Sequence, residues 1–255
     1  MNLCRSKTLL LLAVVTNLAF AKPASAQQGA AGPAHEWGYS GDRGPANWGE
    51  TFESCGLGKQ QSPIDIESPD KTKLTKITFS YQPSPLHVIN NGHTVQVNYA
   101  PGSAIELDGK TYELQQFHFH HMSETAIGGK RQPMEAHLVH KDKDGNLLVV
   151  AVLLKKGHAN SAVNTVWKDL PVEEGSAYSP LATTLEAFKL IPSKHDYYTY
   201  FGSLTTPPCS ENVTWVVMTK PATVSREQID TFAKLYPNNA RPVQALNGRK
   251  VMESK

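Results

Sequence analysis

Short runs in which apolar and polar residues alternate fill the middle of the chain and predict β-strands. β-Branched and aromatic residues are frequent in these runs, and turns that contain Pro, Asn, Asp or Gly separate them. Asn91-Gly92 and Asp108-Gly109 are typical of hairpin turns. The predicted strands are Ile77–Tyr81, Leu86–Asn90, Thr94–Tyr99, Ala104–Leu107, Tyr112–His121, Pro133–Lys141 and Leu147–Lys155.

The last of these runs is apolar almost throughout, which predicts a central strand buried on both faces. Helical signals are fewer. Ser225 and Gln228 form a capping-box pattern ahead of Ile229–Tyr236, and Ser161–Lys168 is a weaker candidate. The predicted fold class is therefore mainly β (α+β). We expect residues 35–255 to form a single domain on a large, mostly antiparallel, twisted central sheet with a few short peripheral helices.

The predicted strand Tyr112–His121 contains Gln116-Phe117-His118-Phe119-His120. Side chains alternate between the two faces of a strand, so His118 and His120 point one way and the two phenylalanines point into a core. His137 on the next predicted strand would complete three neutral nitrogen ligands and leave a fourth position for water, the arrangement of a catalytic zinc site. Taken alone, a His-x-His pair is more often an ordinary polar strand face.

Acceptors for the outer nitrogens of these rings are present as well. Glu135 shares the strand face of His137, and Gln116 shares that of His118, so each is placed to accept a hydrogen bond from its imidazole. For Glu135 alone, a solvated carboxylate is an equal alternative. His121 and His140 stand at odd spacing from the ligand positions, so we expect both to point away from a metal.

The first 26 residues have the features of a secretory signal peptide. Basic residues precede an apolar run from Leu9 to Ala21, and Ala24-Ser25-Ala26 offers a cleavage site, with cleavage after Ala21 as the alternative. The run is too short for a membrane span, and no other stretch is long and apolar enough to be one. Residues 27–34 then form a flexible leader.

Charge and cysteine content narrow the function classes. The chain carries a formal charge of +2, but residues 1–26 hold three basic residues and no acid, which leaves 22 basic against 23 acidic residues, or −1. Nucleic-acid binding therefore has no support from charge, and without an HExxH motif a helix-based metalloprotease has none either. Beyond residue 26 the cysteines are Cys55 and Cys209, and an even pair in an exported chain indicates one disulfide, with a two-cysteine zinc site as the alternative.

A second motif is the run Ser-Leu-Thr-Thr-Pro-Pro-Cys at 203–209. Two prolines after two hydroxyl residues make a stiff, non-helical loop that can hold a threonine hydroxyl in one direction. A purely structural Pro-rich turn is the alternative, and the motif alone favours it.

Taken together, the motifs resemble the α-class carbonic anhydrases, in the family's order and spacing, from about residue 35 to about residue 251. They are HEWGYSGDRGPANWG at 35–49, KQQSPIDI at 59–66, INNGH at 89–93, QFHFHH at 116–121 followed by Glu124, EAHLVH at 135–140, SLTTPPC at 203–209, VTW at 213–215 and RPVQ at 241–244. An exported chain with this single cysteine pair is similar to the bacterial periplasmic members. His121-Met122 departs from the residues more usual in relatives at that position.

The resemblance implies reversible hydration of carbon dioxide to bicarbonate and a proton by attack of zinc-bound hydroxide. It implies that Zn²⁺ is held by His118, His120 and His137, that Thr205 aims the hydroxide, and that Glu124 accepts the Thr205 hydroxyl proton. Gln116 and Glu135 match the partners of the ligand imidazoles. The expected substrate pocket is formed by Val139, Val149, Leu204, Thr206 and Trp215.

His93 matches the family's proton shuttle, with Tyr39, Asn91 and Gln96 ordering the intervening water; an exposed turn histidine without function is the alternative. The resemblance further implies sulfonamide and small-anion inhibitors, a side esterase activity and a location in a Gram-negative periplasm, and it leaves a homodimer open. The competing hypotheses are a zinc hydrolase acting on esters and a catalytically silent binding module of the same fold. All three zinc histidines, Thr205 and Glu124 are present, which argues against the silent module.

Overall fold

The computed structural model describes Met1, residues 36–168 and residues 170–254. The predicted cleavage site and the leader 27–34 lie outside the described residues. Within the described part, the strands are β1 (Asp65–Ile66), β2 (Asp70–Thr72), β3 (Thr78–Ser80), β4 (Ser84–Pro85), β5 (Val88–Asn90), β6 (Val95–Asn98), β7 (Ala104–Leu107), β8 (Lys110–His120), β9 (Ala126–Ile127), β10 (Met134–Lys141), β11 (Leu147–Lys156), β12 (Ala177–Tyr178), β13 (Thr184–Leu185), β14 (Tyr197–Ser203), β15 (Glu211–Met218), β16 (Ala222–Val224) and β17 (Met252–Ser254).

Helices are few and short, as predicted. They are α1 (Trp48–Thr51), α2 (Glu53–Leu57), α3 (Ser161–Trp167) and α4 (Arg226–Leu235), with 3₁₀ turns at Gly41–Arg43 and Ala187–Leu190. Helix α4 begins with the predicted capping box, in which Ser225 and Gln228 satisfy each other's backbone N–H groups. No helix in the described part of the chain is long and apolar enough to cross a membrane.

One large sheet holds 13 of the described strands, in the order β12-β5-β6-β8-β10-β11-β15-β14-β17-β2, with β16 beside β11 and β3 joined through β7 to β8. Most neighbours are antiparallel, as predicted, while the β11–β15, β11–β16 and β17–β2 pairs are parallel. The predicted meander of β8, β10 and β11 is confirmed, and it sets His118 directly opposite His137. Strand β11 is buried from Leu148 to Leu154, as its apolar sequence predicts.

The two faces of the sheet have different chemistry. Phe117 and Phe119 have no exposed surface and belong to the main hydrophobic core, which helices α3 and α4 cover. There Trp167 of α3 contacts Phe119 with ring centroids 4.8 Å apart and stacks on Phe232 of α4 at 5.6 Å. The alternation along β8 therefore anchors one face in the core and presents His118 and His120 on the other.

Strands β14 and β15 and helices α1 and α2 were not predicted from the sequence. Both strands are rich in β-branched and aromatic residues, but the sequence marks Trp215 and its neighbours only as part of a motif. The two helices, of four and five residues, are too short to show a 3.6-residue period. Among the predicted strands, Ile77–Tyr81 is reduced to Thr78–Ser80.

Candidate metal centre

Three imidazoles converge on the sheet face opposite the main core. His118 and His120 lie two residues apart on β8, and His137 lies on β10 opposite His118. One nitrogen from each ring can be chosen so that all three lie within 4.8 Å of one another. Backbone pairing of two neighbouring strands, rather than a flexible loop, therefore fixes the positions of the three nitrogens.

The outer nitrogen of each ring faces an acceptor. His118 Nδ1 lies 2.8 Å from Gln116 Oε1, and His120 Nδ1 lies 2.8 Å from the main-chain oxygen of Asn239. His137 Nε2 lies 3.1 Å from Glu135 Oε1, although without full hydrogen-bond geometry. Each contact leaves the other nitrogen of the ring available to bind a metal.

The donor set fits a zinc ion. His120 Nε2 is buried and has no hydrogen-bond partner among the described residues, which is the expected state of a nitrogen that binds metal. Burial, together with the neighbouring imidazoles, holds the pKa of His118 well below its ordinary value of 6.5, and burial also lowers the pKa of His120. Both rings are therefore neutral at pH 7, as metal binding requires, and three neutral nitrogens suit catalytic zinc.

Two carboxylates with no exposed surface flank the histidines, and their environments differ. Burial raises the pKa of Glu124 to about 7, against the opposing effects of His137, the Thr205 hydroxyl and the Arg241 N–H. Burial also acts to raise the pKa of Glu135, but His137 and two hydrogen bonds from Thr125, each 2.8 Å long, outweigh it, so that this pKa is lowered. Glu135 is therefore ionised at neutral pH.

Glu124 contacts both the metal centre and the loop 203–209. Its Oε1 accepts from the Arg241 N–H at 2.7 Å and lies 3.6 Å from His120 Nδ1, while its Oε2 lies 3.9 Å from His137 Nδ1. The Thr205 hydroxyl is near enough to lower the pKa of this carboxyl. Among the described residues, no hydrogen bond of full geometry reaches Oε2, which leaves that oxygen available as an acceptor.

Two backbone hydrogen bonds within residues 204–210 and one disulfide hold the loop that carries Thr205. The Leu204 N–H donates to the Ser210 carbonyl at 2.9 Å, and the Cys209 N–H donates to the Thr206 carbonyl at 2.9 Å. Cys209 is bonded to Cys55 of helix α2, so the predicted disulfide is confirmed. The bridge attaches this loop to a segment 154 residues earlier in the chain.

An apolar row crosses the sheet next to the histidines. Val139 of β10 pairs with Val149 of β11, which in turn pairs with Trp215 of β15. These three residues and Leu204 belong to a second hydrophobic cluster, separate from the main core, and the Trp215 ring lies 4.9 Å from that of His137. Four of the five predicted pocket residues therefore lie in one cluster, which reaches the metal centre through Trp215. Thr206 lies next to Thr205 in the loop.

His93 follows strand β5 on the hairpin that leads into β6. Its ring stacks on Trp37, with centroids 3.6 Å apart and planes 7° from parallel. A cavity of about 370 Å³ is lined by both residues and by Tyr39. Gln96 pairs with His118 across β6 and β8, and Asn91 Nδ2 lies 3.5 Å from Gln96 Oε1.

His121 and His140 point away from the metal centre, as predicted. His121 Nδ1 lies 2.8 Å from the Pro237 carbonyl. His140 is buried, with its Nε2 2.6 Å from the Tyr81 hydroxyl.

Four residues of the site were not predicted from the sequence: Trp37, Thr125, Asn239 and Arg241. Asn239 contacts His120 and Arg241 contacts Glu124, each about half the chain away, and no local pattern marks such contacts. Arg241 lies in the RPVQ motif, which could have identified it, and Thr125 follows Glu124 directly.

Three imidazoles that converge without a fourth His, Cys, Asp or Glu in their group among the described residues, flanked by two buried carboxylates and an apolar row, have the arrangement of a catalytic metal site on a large twisted sheet. The family model described as eukaryotic-type carbonic anhydrase matches residues 43–255. The chain belongs to this α-carbonic anhydrase family, whose general reaction is the hydration of carbon dioxide.

Individual relatives agree with this assignment. A carbonic anhydrase of Nostoc sp. is 44% identical over 226 residues, which cover 86% of each chain. A hyperthermostable carbonic anhydrase from a hydrothermal vent chimney matches with a TM-score of 0.83 and 47% identity, over 86% of this chain and 100% of the other. The α-carbonic anhydrase of Thermovibrio ammonificans, solved with the inhibitor sulfanilamide, matches with a TM-score of 0.82 and 46% identity, over 87% and 100%.

Proposed function

We propose that the metal centre holds zinc through His118 Nε2, His120 Nε2 and His137 Nδ1 and hydrates carbon dioxide. The observation that carries the proposal is the group of three ring nitrogens within 4.8 Å of one another. His120 Nε2, which is buried and has no hydrogen-bond partner among the described residues, supports it. Zinc held there would lower the pKa of a coordinated water to about 7, the value established for carbonic anhydrases, and would so supply a nucleophile at neutral pH. Gln116, Glu135 and the Asn239 carbonyl hold the rings in the tautomers that this binding needs.

Thr205 and Glu124 orient the nucleophile. The Thr205 hydroxyl donates a hydrogen bond to Glu124 Oε2 and therefore presents only its lone pairs to the nucleophilic oxygen. That oxygen must then donate a hydrogen bond to Thr205, which fixes its orientation. Glu124 has to be ionised for this role, and its pKa of about 7 is set mainly by burial. The positive charge of a cation in the adjoining site favours the ionised form.

Carbon dioxide is weakly polar, so an apolar surface suits it better than hydrogen-bond donors. Val139, Val149 and Trp215 form such a surface beside the histidines, and Leu204 extends it. Thr206 is placed in the same loop to contact the product anion. We infer that small anions and sulfonamides inhibit the enzyme by occupying this region; the similar T. ammonificans protein forms a complex with the inhibitor sulfanilamide.

His93 relays the released proton to buffer. An imidazole titrates near neutral pH, and this one lies on a hairpin beside a cavity that Tyr39 also lines. Gln96 and Asn91 supply polar groups between the hairpin and His118. The esterase side activity, the periplasmic location and a homodimer remain predictions from the sequence.

Replacing His118 by Ala tests the metal assignment against a matched neighbour. His118→Ala should remove a ligand and abolish both zinc binding and carbon dioxide hydration. His121→Ala, which changes a histidine that is hydrogen-bonded to the Pro237 carbonyl, should retain both. Zinc content by atomic emission and hydration by stopped flow are the measurements. Zinc retained at one per chain in His118→Ala would reject the proposed ligand set.

A further inference from the structure

Asn239 is a buried amide whose side-chain bonds join the hairpin of His93 to the end of strand β8. It is 1% exposed. Its Nδ2 donates to the His93 carbonyl at 3.1 Å and to the Phe119 carbonyl at 3.0 Å, and its Oδ1 accepts from the His121 N–H at 2.8 Å. Both amide hydrogens and the amide oxygen are thus used, each on a backbone group.

These bonds occur where the sheet pairing stops. The pairing of β6 with β8 extends no further toward the hairpin than Gln96 opposite His118. Beyond that point the Phe119 carbonyl accepts from side chains, at 2.6 Å from Thr94 Oγ1 and from the Asn239 amide. The amide therefore replaces a missing backbone connection between the hairpin and the strand of the metal ligands.

The segment that carries Asn239 holds the hairpin at a second point. The Tyr236 hydroxyl donates to Asn90 Oδ1, and the Asn90 amide donates to the carbonyls of Pro171 and Val172, both at 3.1 Å. Asn90 Oδ1 also accepts from the Gly92 N–H. The base and the tip of the hairpin are therefore both attached to the chain that follows helix α4.

We propose that Asn239 is a positioning residue for proton relay through its side chain. The side chain fixes the backbone of His93, and therefore the position of the His93 imidazole, relative to β8, the strand that carries His118 and His120. The inference rests on the proposed relay role of His93. This role is separate from that of the Asn239 main-chain carbonyl, which faces His120 Nδ1 and stays in place when the side chain is changed.

The experiment is a double-mutant cycle between Asn239 and His93, measured by stopped-flow hydration at low and high buffer. The proton leaves after the chemical step, so slower relay lowers kcat and leaves kcat/KM unchanged. Asn239→Ala should lower kcat at low buffer about tenfold, and imidazole in solution should restore it. In a His93→Ala background, the same replacement should change kcat by less than about twofold.

Two further variants separate positioning from loss of structure. Asn239→Asp keeps the volume and the acceptor for the His121 N–H but loses the amide donors, and it should reproduce the kcat defect even where Asn239→Ala does not fold. Asn160→Ala is the matched control, because it removes the cap of helix α3, whose bonds go to Ala162, Val163 and Lys189, and it should leave the buffer dependence unchanged.

The outcomes are distinguishable. Four results would overturn the positioning role while leaving the relay intact. They are an equal loss of kcat on replacing Asn239 with and without His93, a fall in kcat/KM, a loss of zinc, and an unchanged kcat in both Asn239 variants. If His93→Ala itself leaves kcat unchanged at low buffer, the relay proposal fails and the positioning role fails with it.

Discussion

Glu124 and Glu135 show how residues of one type acquire different states in one site. Both are fully buried, yet hydrogen bonds from Thr125 and the contact with His137 lower the pKa of Glu135, whereas burial dominates at Glu124 and raises its pKa. The strand period predicted the position of Glu135 from that of His137. It did not predict Thr125 as the donor, because that contact depends on the loop between β8 and β10.

Replacing Glu124 by Gln should disorient Thr205. The Arg241 N–H donates a hydrogen bond to the amide oxygen of the new side chain, so the amide nitrogen faces Thr205. There it donates a hydrogen bond where the carboxylate of Glu124 accepted one. We expect kcat/KM for hydration to fall about 10- to 100-fold, with zinc content unchanged because no ligand is lost. Glu106→Gln, on the exposed side of β7, is the control. Wild-type kcat/KM in Glu124→Gln would contradict the role of this pair.

His140 gives the folded protein a pH-dependent stability. Burial lowers the pKa of His140 from 6.5 to about 3, so the folded protein keeps this ring neutral while the unfolded chain protonates it near 6.5. Its contribution to stability is therefore full above pH 6.5 and is lost as the pH falls from 6.5 toward 3. Within that window, wild type should lose about 1.4 kcal/mol more per pH unit than His140→Gln.

Urea unfolding of the two proteins at about pH 8 and about pH 5 measures this difference. The glutamine can still bond the Tyr81 hydroxyl, which limits the loss of packing. Equal pH dependence of the two unfolding free energies would show that His140 does not titrate between the folded and unfolded states.

At the scale of elements, the strands that carry the ligands were the easiest to predict. Strand β8 alternates from Gln116 to His120, after an irregularity at Gln115, and β11 is a long apolar run, so both could be identified locally. The loop 203–209 could be recognised as stiff from its prolines, but its position depends on the bond from Cys209 to Cys55 and on the Arg241 N–H at Glu124. Those contacts join segments far apart in sequence, and no local period encodes them.

Reducing the disulfide should destabilise the fold. The bridge joins cysteines 154 residues apart, and in the chain-entropy model closing a loop of that length is worth about 5 kcal/mol. A Cys55→Ser/Cys209→Ser variant should therefore unfold at lower urea than the oxidised protein, and reductant should lower the midpoint of wild type alone. Identical midpoints, or two free thiols in the native protein, would contradict the bridge.

At the scale of the whole molecule, the mainly β architecture followed from the predominance of strand signals, while the order of strands did not. Strand β15 runs parallel to β11, and the C-terminal strand β17 lies between β14 and β2. Both arrangements depend on which buried faces fit together over long chain separations. The division of the sheet into a helix-covered apolar face and a face bearing imidazoles was already present in the alternation of Phe117, His118, Phe119 and His120.

Metal analysis combined with stopped-flow hydration of carbon dioxide on the same preparation tests the proposed function most directly. We expect one zinc per chain, hydration well above the uncatalysed rate, loss of both on chelation, and recovery of both when zinc is restored. A native protein that binds no zinc, or a zinc-loaded protein that does not accelerate hydration, would contradict the function proposed for this site.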